Sequence, residues 1–169
     1  MLRNFIIIFF LLLLFHFYGC DKGLSPISSE EKAGFSGIIT FVGNWPEGIT
    51  RTHLVVFQHE LKSPSDFNIL NLKYVSVEIP YGVKTYNFNS TDSSYIAIDA
   101  GTYEYVAVVQ SKTPDLSLIR SDWFVAGVYY SSNDTSKPGM LEIPENTLIR
   151  NIKIVCNFND PPPQPPGGN

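Results

Sequence analysis

Cysteine, histidine and basic side chains are all scarce in this chain of 169 residues, and each shortage removes a class of activity. The 2 cysteines and 3 histidines stand at Cys20, Cys156, His16, His53 and His59, without the close spacings that announce a zinc site. No metal or other cofactor is expected. The 12 Lys and Arg are outnumbered by 16 Asp and Glu, so the concentrated basic surface that phosphate contacts need is missing and nucleic acid is not expected as a partner. There is no Gly-x-Ser-x-Gly elbow, and so few histidines leave little to serve as base for a nucleophile. The chain is therefore not expected to be an enzyme. Amphipathic helical periodicity of ordinary length is also absent, which argues against a helical bundle.

The sequence opens on a strong signal. Arg3 precedes an unbroken apolar run over residues 5–15, and Gly19-Cys20 follows closely. A basic start, an apolar core of about 7–15 residues and a small residue before the cut describe a secretory signal peptide. Even extended to Tyr18 the run is shorter than the roughly 20 residues that a helix needs to cross hydrocarbon. The residues Phe17-Tyr18-Gly19-Cys20 resemble the bacterial lipobox, and that resemblance implies a lipidated Cys20 as the new N-terminus after removal of residues 1–19. The implied location is exported and lipid-anchored to a bacterial membrane, on its periplasmic or cell-surface face. Losing Arg3 leaves 11 basic against 16 acidic side chains, a net charge of −5. About 150 residues remain, the size of one domain with one substantial core.

Composition divides the rest. Residues 20–33 hold Gly23, Pro26, Ser28, Ser29 and the charged Glu30-Glu31-Lys32, too little apolar surface to offset the entropy of ordering, and read as a flexible tether. Residues 160–169 carry Pro161-Pro162-Pro163-Gln164-Pro165-Pro166 and two glycines; prolines remove backbone donors and favour an extended conformation, so a disordered tail is predicted. Between them, residues 34–159 alternate runs rich in Val, Ile, Tyr, Phe and Thr with turn residues. Strands are predicted over 35–42, 52–58, 73–79, 85–89, 95–99, 102–110, 123–130, 139–143 and 148–158. The expected fold class is all-β, an antiparallel β-sandwich of about 7–9 strands. One short helix is predicted near 64–70, with Ser63 as cap, Pro64 at the first position and Asp66 in the first turn.

The segments Phe35-Ser36-Gly37-Ile38-Ile39-Thr40-Phe41 and Ala100-Gly101-Thr102-Tyr103-Glu104-Tyr105-Val106-Ala107-Val108, with a late strand over 148–158, resemble the transthyretin-like (prealbumin-like) sandwiches of carboxypeptidase regulatory-like domains and many bacterial lipoproteins. The resemblance covers about 125 residues. It implies a fold and a location, since such modules are usually non-catalytic attachments or binding domains.

Individual residues can be weighed by alternation, which places every second side chain of a strand on one face. It predicts Ile39, Phe41, Val55, Tyr103, Tyr105, Ala107, Ile152, Ile154 and Cys156 on buried inner surfaces, and makes Cys156 a small hydrophobe, not a nucleophile. His53 shares a face with Val55 and Phe57 and reads as structural; His59 reads as a solvated turn residue. Leu54, Val56, Val106 and Val108 give the same two strands a second apolar face, which a wet-sided sandwich strand would lack. Residues 61–86 are expected to cover it, with a partner protein as the other cover. Ligand binding, if it uses the aromatic excess, falls to Trp45, Tyr81 and Trp123, because flat rings stack on sugars or anchor partners. The expected function is a lipid-anchored module with a non-catalytic binding or structural role. The alternatives are a carbohydrate-binding module using exposed aromatics and an accessory domain of a cell-envelope hydrolase or peptidase system. The expected partners are the membrane, through the lipid on Cys20, and a protein or carbohydrate.

Overall fold

The structure, a computed structural model, describes residues 31–168 apart from Asn133; the predicted signal peptide over residues 1–19 and Cys20 lie outside the described residues. Ten strands follow one another: β1 (Gly34–Val42), β2 (Arg51–Phe57), β3 (Leu72–Ser76), β4 (Thr85–Asn89), β5 (Ser94–Ile96), β6 (Gly101–Tyr103), β7 (Tyr105–Ser111), β8 (Trp123–Tyr129), β9 (Leu141–Ile143) and β10 (Leu148–Asn157). Eight form one curled sheet in the order β4-β1-β10-β8-β7-β2-β3-β5, and β6 pairs with β9 in a small second sheet. The fold is all-β and sandwich-like, as the alternating runs predict. One pairing departs from the antiparallel expectation: β1 runs parallel to β10.

That parallel pair is set by a glycine and a bulge. Phe35 pairs with Ile149 but Gly37 pairs with Ile152, so β10 carries one residue more than β1 across this step. Asn151 sits there at φ 65°, a left-handed conformation that asparagine tolerates better than most residues. The extra residue resets the alternation, so that both Ile149 and Ile152 pack on the main core.

Two apolar clusters lie on opposite faces of the central strands. The inner one joins Ile39, Phe41, Ile152, Ile154 and Cys156 to Leu54, Val56, Val106 and Val108, with Tyr103, Leu141 and Ile143 contributed by the small sheet. The outer one gathers Val55, Phe57, Tyr105, Ala107, Val109, Trp123 and Val125. All nine residues that alternation marks for burial are buried. However, Val55, Tyr105 and Ala107 belong to the outer cluster and not with Ile39. The phase read from Tyr103 is lost at Glu104, where the chain leaves the small sheet, joins the large one and bonds through its N–H to the Gln58 carbonyl at 3.2 Å. Residues 61–86 serve both faces: Tyr74 and Ile79 pack in the cluster of Leu54, Val56, Val106 and Val108, while Leu61 and Phe67 cover the face carrying Val55, Phe57, Ala107 and Val109.

Between β2 and β3 the helical signal yields only a 3-10 turn, Pro64–Asp66. The Asp66 carboxylate accepts from the Lys62 and Ser63 N–H groups at 2.9 and 2.7 Å. Beyond it the Asn68 amide oxygen takes the N–H groups of Leu70 and Asn71. A side chain that satisfies the backbone locally competes with helix continuation.

Residues 160–168, where composition predicts a disordered tail, lie against the outer face. The Gln164 amide does what the prolines cannot: its oxygen accepts from the Val125 N–H and its nitrogen donates to the Val125 carbonyl, both at 2.8 Å. The guanidinium of Arg120 donates to the carbonyls of Trp123 and Pro165, and Arg120 and Pro165 are both buried.

Candidate functional site

The outer face of β2, β3 and β7 is not fully filled. An apolar cavity of about 220 Å³ opens there, walled by Phe57, Val75, Val109 and Trp123, with Tyr95 from β5 and Phe67 from the connection after β2. Each wall element is placed by the pattern already described. Outward positions of β2 supply His53, Val55 and Phe57, and the bend after Ser117 is held by the Trp123 indole N–H, which donates to the Ser117 carbonyl at 2.7 Å. At the mouth, Ile69, Leu116 and Leu118 are 52%, 48% and 60% exposed. Large apolar side chains exposed together around an opening, and not scattered singly, mark a place where something binds.

His53 is the polar group of this wall. It is fully buried and lies edge-on to the rings of Tyr95 and Trp123, at centroid distances of 5.7 and 6.1 Å. Its Nδ1 is 3.0 Å from the Ser76 carbonyl oxygen. A carbonyl can only accept, so Nδ1 carries the hydrogen and Nε2 is left as a bare acceptor in the neutral ring. Nε2 is buried and has no hydrogen-bond partner. Burial holds the imidazole below its ordinary pKa, outweighing the opposing pull of the Ser76 carbonyl and of Glu78. The site therefore offers an aromatic slot with one neutral acceptor.

This depressed pKa sets the sign of a pH effect. Below the ordinary imidazole value of about 6.5 the unfolded chain takes up a proton that folded His53 refuses, so stability is lost as pH falls from there toward the folded value. Urea midpoints are expected to drop between pH 7 and 5.5, and His53→Gln is expected to flatten that slope. An equal drop in the variant would assign the loss to another group.

The aromatic residues singled out in the sequence are divided between two places. Trp45 is half-buried: its ring packs on Phe41 and Phe158 and its indole N–H donates to the Val83 carbonyl at 3.0 Å. Tyr81 is exposed and packs on Trp45, with centroids 5.1 Å apart. Trp123 is buried in the cavity wall and meets His53 instead. Comparison with protein-family models, curated proteins and solved structures finds no match.

Of the remaining candidates, His59 lies exposed beside Glu104, at 3.5 Å. Cys156 is free and buried, and burial pushes its thiol up to about 12, which makes it a poor nucleophile. No group of three or more His, Cys, Asp or Glu is arranged to hold a metal among the described residues. Sequence reasoning misses Arg120 and Gln164, and counts Tyr95 in the aromatic excess without singling it out as a site residue. Tyr95 shows as a strand aromatic, but its neighbours across the sheet come only from the β3–β5 register, in which Val75 pairs with Ile96.

Proposed function

We propose that this chain is a lipid-anchored, extracytoplasmic binding module, acylated on Cys20 and working by holding a ligand or partner rather than by catalysis. The observation that carries the reading is the aromatic cavity on the outer face of β2, β3 and β7. Small-molecule sites are concave and mostly apolar, with a few placed polar groups, and this cavity fits that description. Its buried imidazole is hydrogen-bonded to a carbonyl and not to a carboxylate, an arrangement suited to accepting one hydrogen bond. The all-β architecture, with a strand at Gly101–Tyr103, supports keeping the transthyretin-like resemblance within this proposal. The mouth of exposed apolar side chains is consistent with a site that works near a membrane or a partner surface.

The anchor is tested in the native host. Mass spectrometry is expected to find diacylglycerol on Cys20 and no residue before it, and Cys20→Ser is expected to release the protein from membranes or leave it unprocessed. A processed Cys20→Ser protein that stays membrane-bound would refute acylation as the anchor.

A further inference from the structure

Resting on the reading of a binding module, the cavity also narrows the class of ligand. We infer that it binds a neutral, flat, two-ring-sized aromatic molecule that donates one hydroxyl hydrogen bond to Nε2 of His53. Four observations converge on this. The first is size: an engineered apolar cavity of about 150 Å³ stays dry and takes up benzene, and this one, at about 220 Å³, has room for a second ring. The second is shape, because Phe57, Phe67, Tyr95 and Trp123 place four rings in the wall, and rings prefer offset or edge-on partners of their own kind.

The third observation is the orphan acceptor. A buried polar atom without a partner is costly and rare enough in native proteins to need an explanation. A donor supplied by the ligand is that explanation. The fourth is charge. No Lys or Arg lines the cavity, and Nε2 accepts only while the ring is neutral, so a carboxylate would enter with nothing to pair with and at a large desolvation cost. Fatty and aromatic acids are thereby disfavoured. Tyr95, which is 55% exposed and edge-on to the imidazole, lines the cavity beside His53.

Three probes on one ring system test this: 2-naphthol, which donates; 2-methoxynaphthalene, which is more apolar and only accepts; and 2-naphthoate, which is charged at pH 7.5. Each is equilibrated by dialysis against the full chain in phosphatidylcholine nanodiscs, with empty nanodiscs as the blank. The naphthol is expected to bind about tenfold tighter than the ether, the equivalent of one hydrogen bond, and the naphthoate is expected not to saturate. Leu72→Trp, which fills the cavity from its half-buried wall, is expected to abolish binding of both the naphthol and the ether. Equal affinity for naphthol and ether, with both lost in Leu72→Trp, would overturn the hydroxyl assignment and leave a binding cavity. Failure of every probe to exceed the blank, or binding indifferent to Leu72→Trp, would overturn the cavity as a ligand site altogether. The comparison among probes needs no substitution of His53, so a folding defect in a His53 variant does not cloud it.

Discussion

Phe35→Ala is expected to destabilise the domain by about 3–5 kcal/mol, the usual cost of emptying a buried aromatic site. The ring has no solvent exposure and makes edge contacts with Tyr74 and Phe88, each at a centroid distance of 5.5 Å. It therefore ties β1 to β3 and β4 at once. The backbone beside it is equally committed, its N–H donating to the Ser90 hydroxyl at 2.8 Å and its carbonyl accepting from the Ser90 N–H at 2.9 Å. Truncation leaves those bonds in place and isolates the loss of the ring. Urea unfolding at neutral pH measures it, and a loss below about 1 kcal/mol, smaller than any aromatic-to-alanine core value, would place the ring outside the core.

Gly37→Ala is expected to be nearly as damaging, for the opposite reason. A Cβ at Gly37 would stand 1.8 Å from the Ile152 carbonyl oxygen and 2.6 Å from its carbon. Both are backbone atoms, so no side-chain rotation relieves the clash and the parallel β1–β10 pair has to separate at its bulge. Overpacking a core typically costs 1–3 kcal/mol and occasionally more, and a backbone-to-backbone conflict belongs at the upper end, about 3 kcal/mol. The same unfolding experiment reads it. A neutral Gly37→Ala variant would mean that β10 meets β1 in a different register.

What the amino-acid pattern makes legible is the existence of the strands more than their partners. Residues 85–89 are predicted as a strand and form β4 over the same span, because turn residues bracket a clean β-rich run. The run 102–110 is instead split at Glu104 into β6 and β7. Nothing local marks that break, since Tyr103, Tyr105 and Ala107 continue the alternation across it; only the two different pairing partners, β9 and β2, reveal the change of sheet. The bulge at Asn151 escapes for the same reason.

The candidate site was legible only in part. His53 and Trp123 stand out as a rare residue type and a large aromatic, but the cavity between them depends on two connections folding back over β2 and β3, which no periodicity encodes. In the tail the composition and the structure part company at Gln164. Composition correctly counts the missing donors of five prolines within Pro161–Pro166, and overlooks that Gln164 between them carries a donor and an acceptor on its side chain.

The parallel pairing of β1 with β10 also bears on the order of events in time. Contacts such as Ile39 with Ile154 and Phe41 with Cys156 join the first and last described strands, and non-local pairings of this kind make folding slow. At synthesis rates of about 5–20 residues per second, the first strand waits roughly 6–23 seconds for its neighbour to emerge. During that interval the inner cluster has no wall on that side, so the nascent polypeptide remains open. Among the described strands β10 is thus the latch, the piece whose arrival closes the inner cluster against β1.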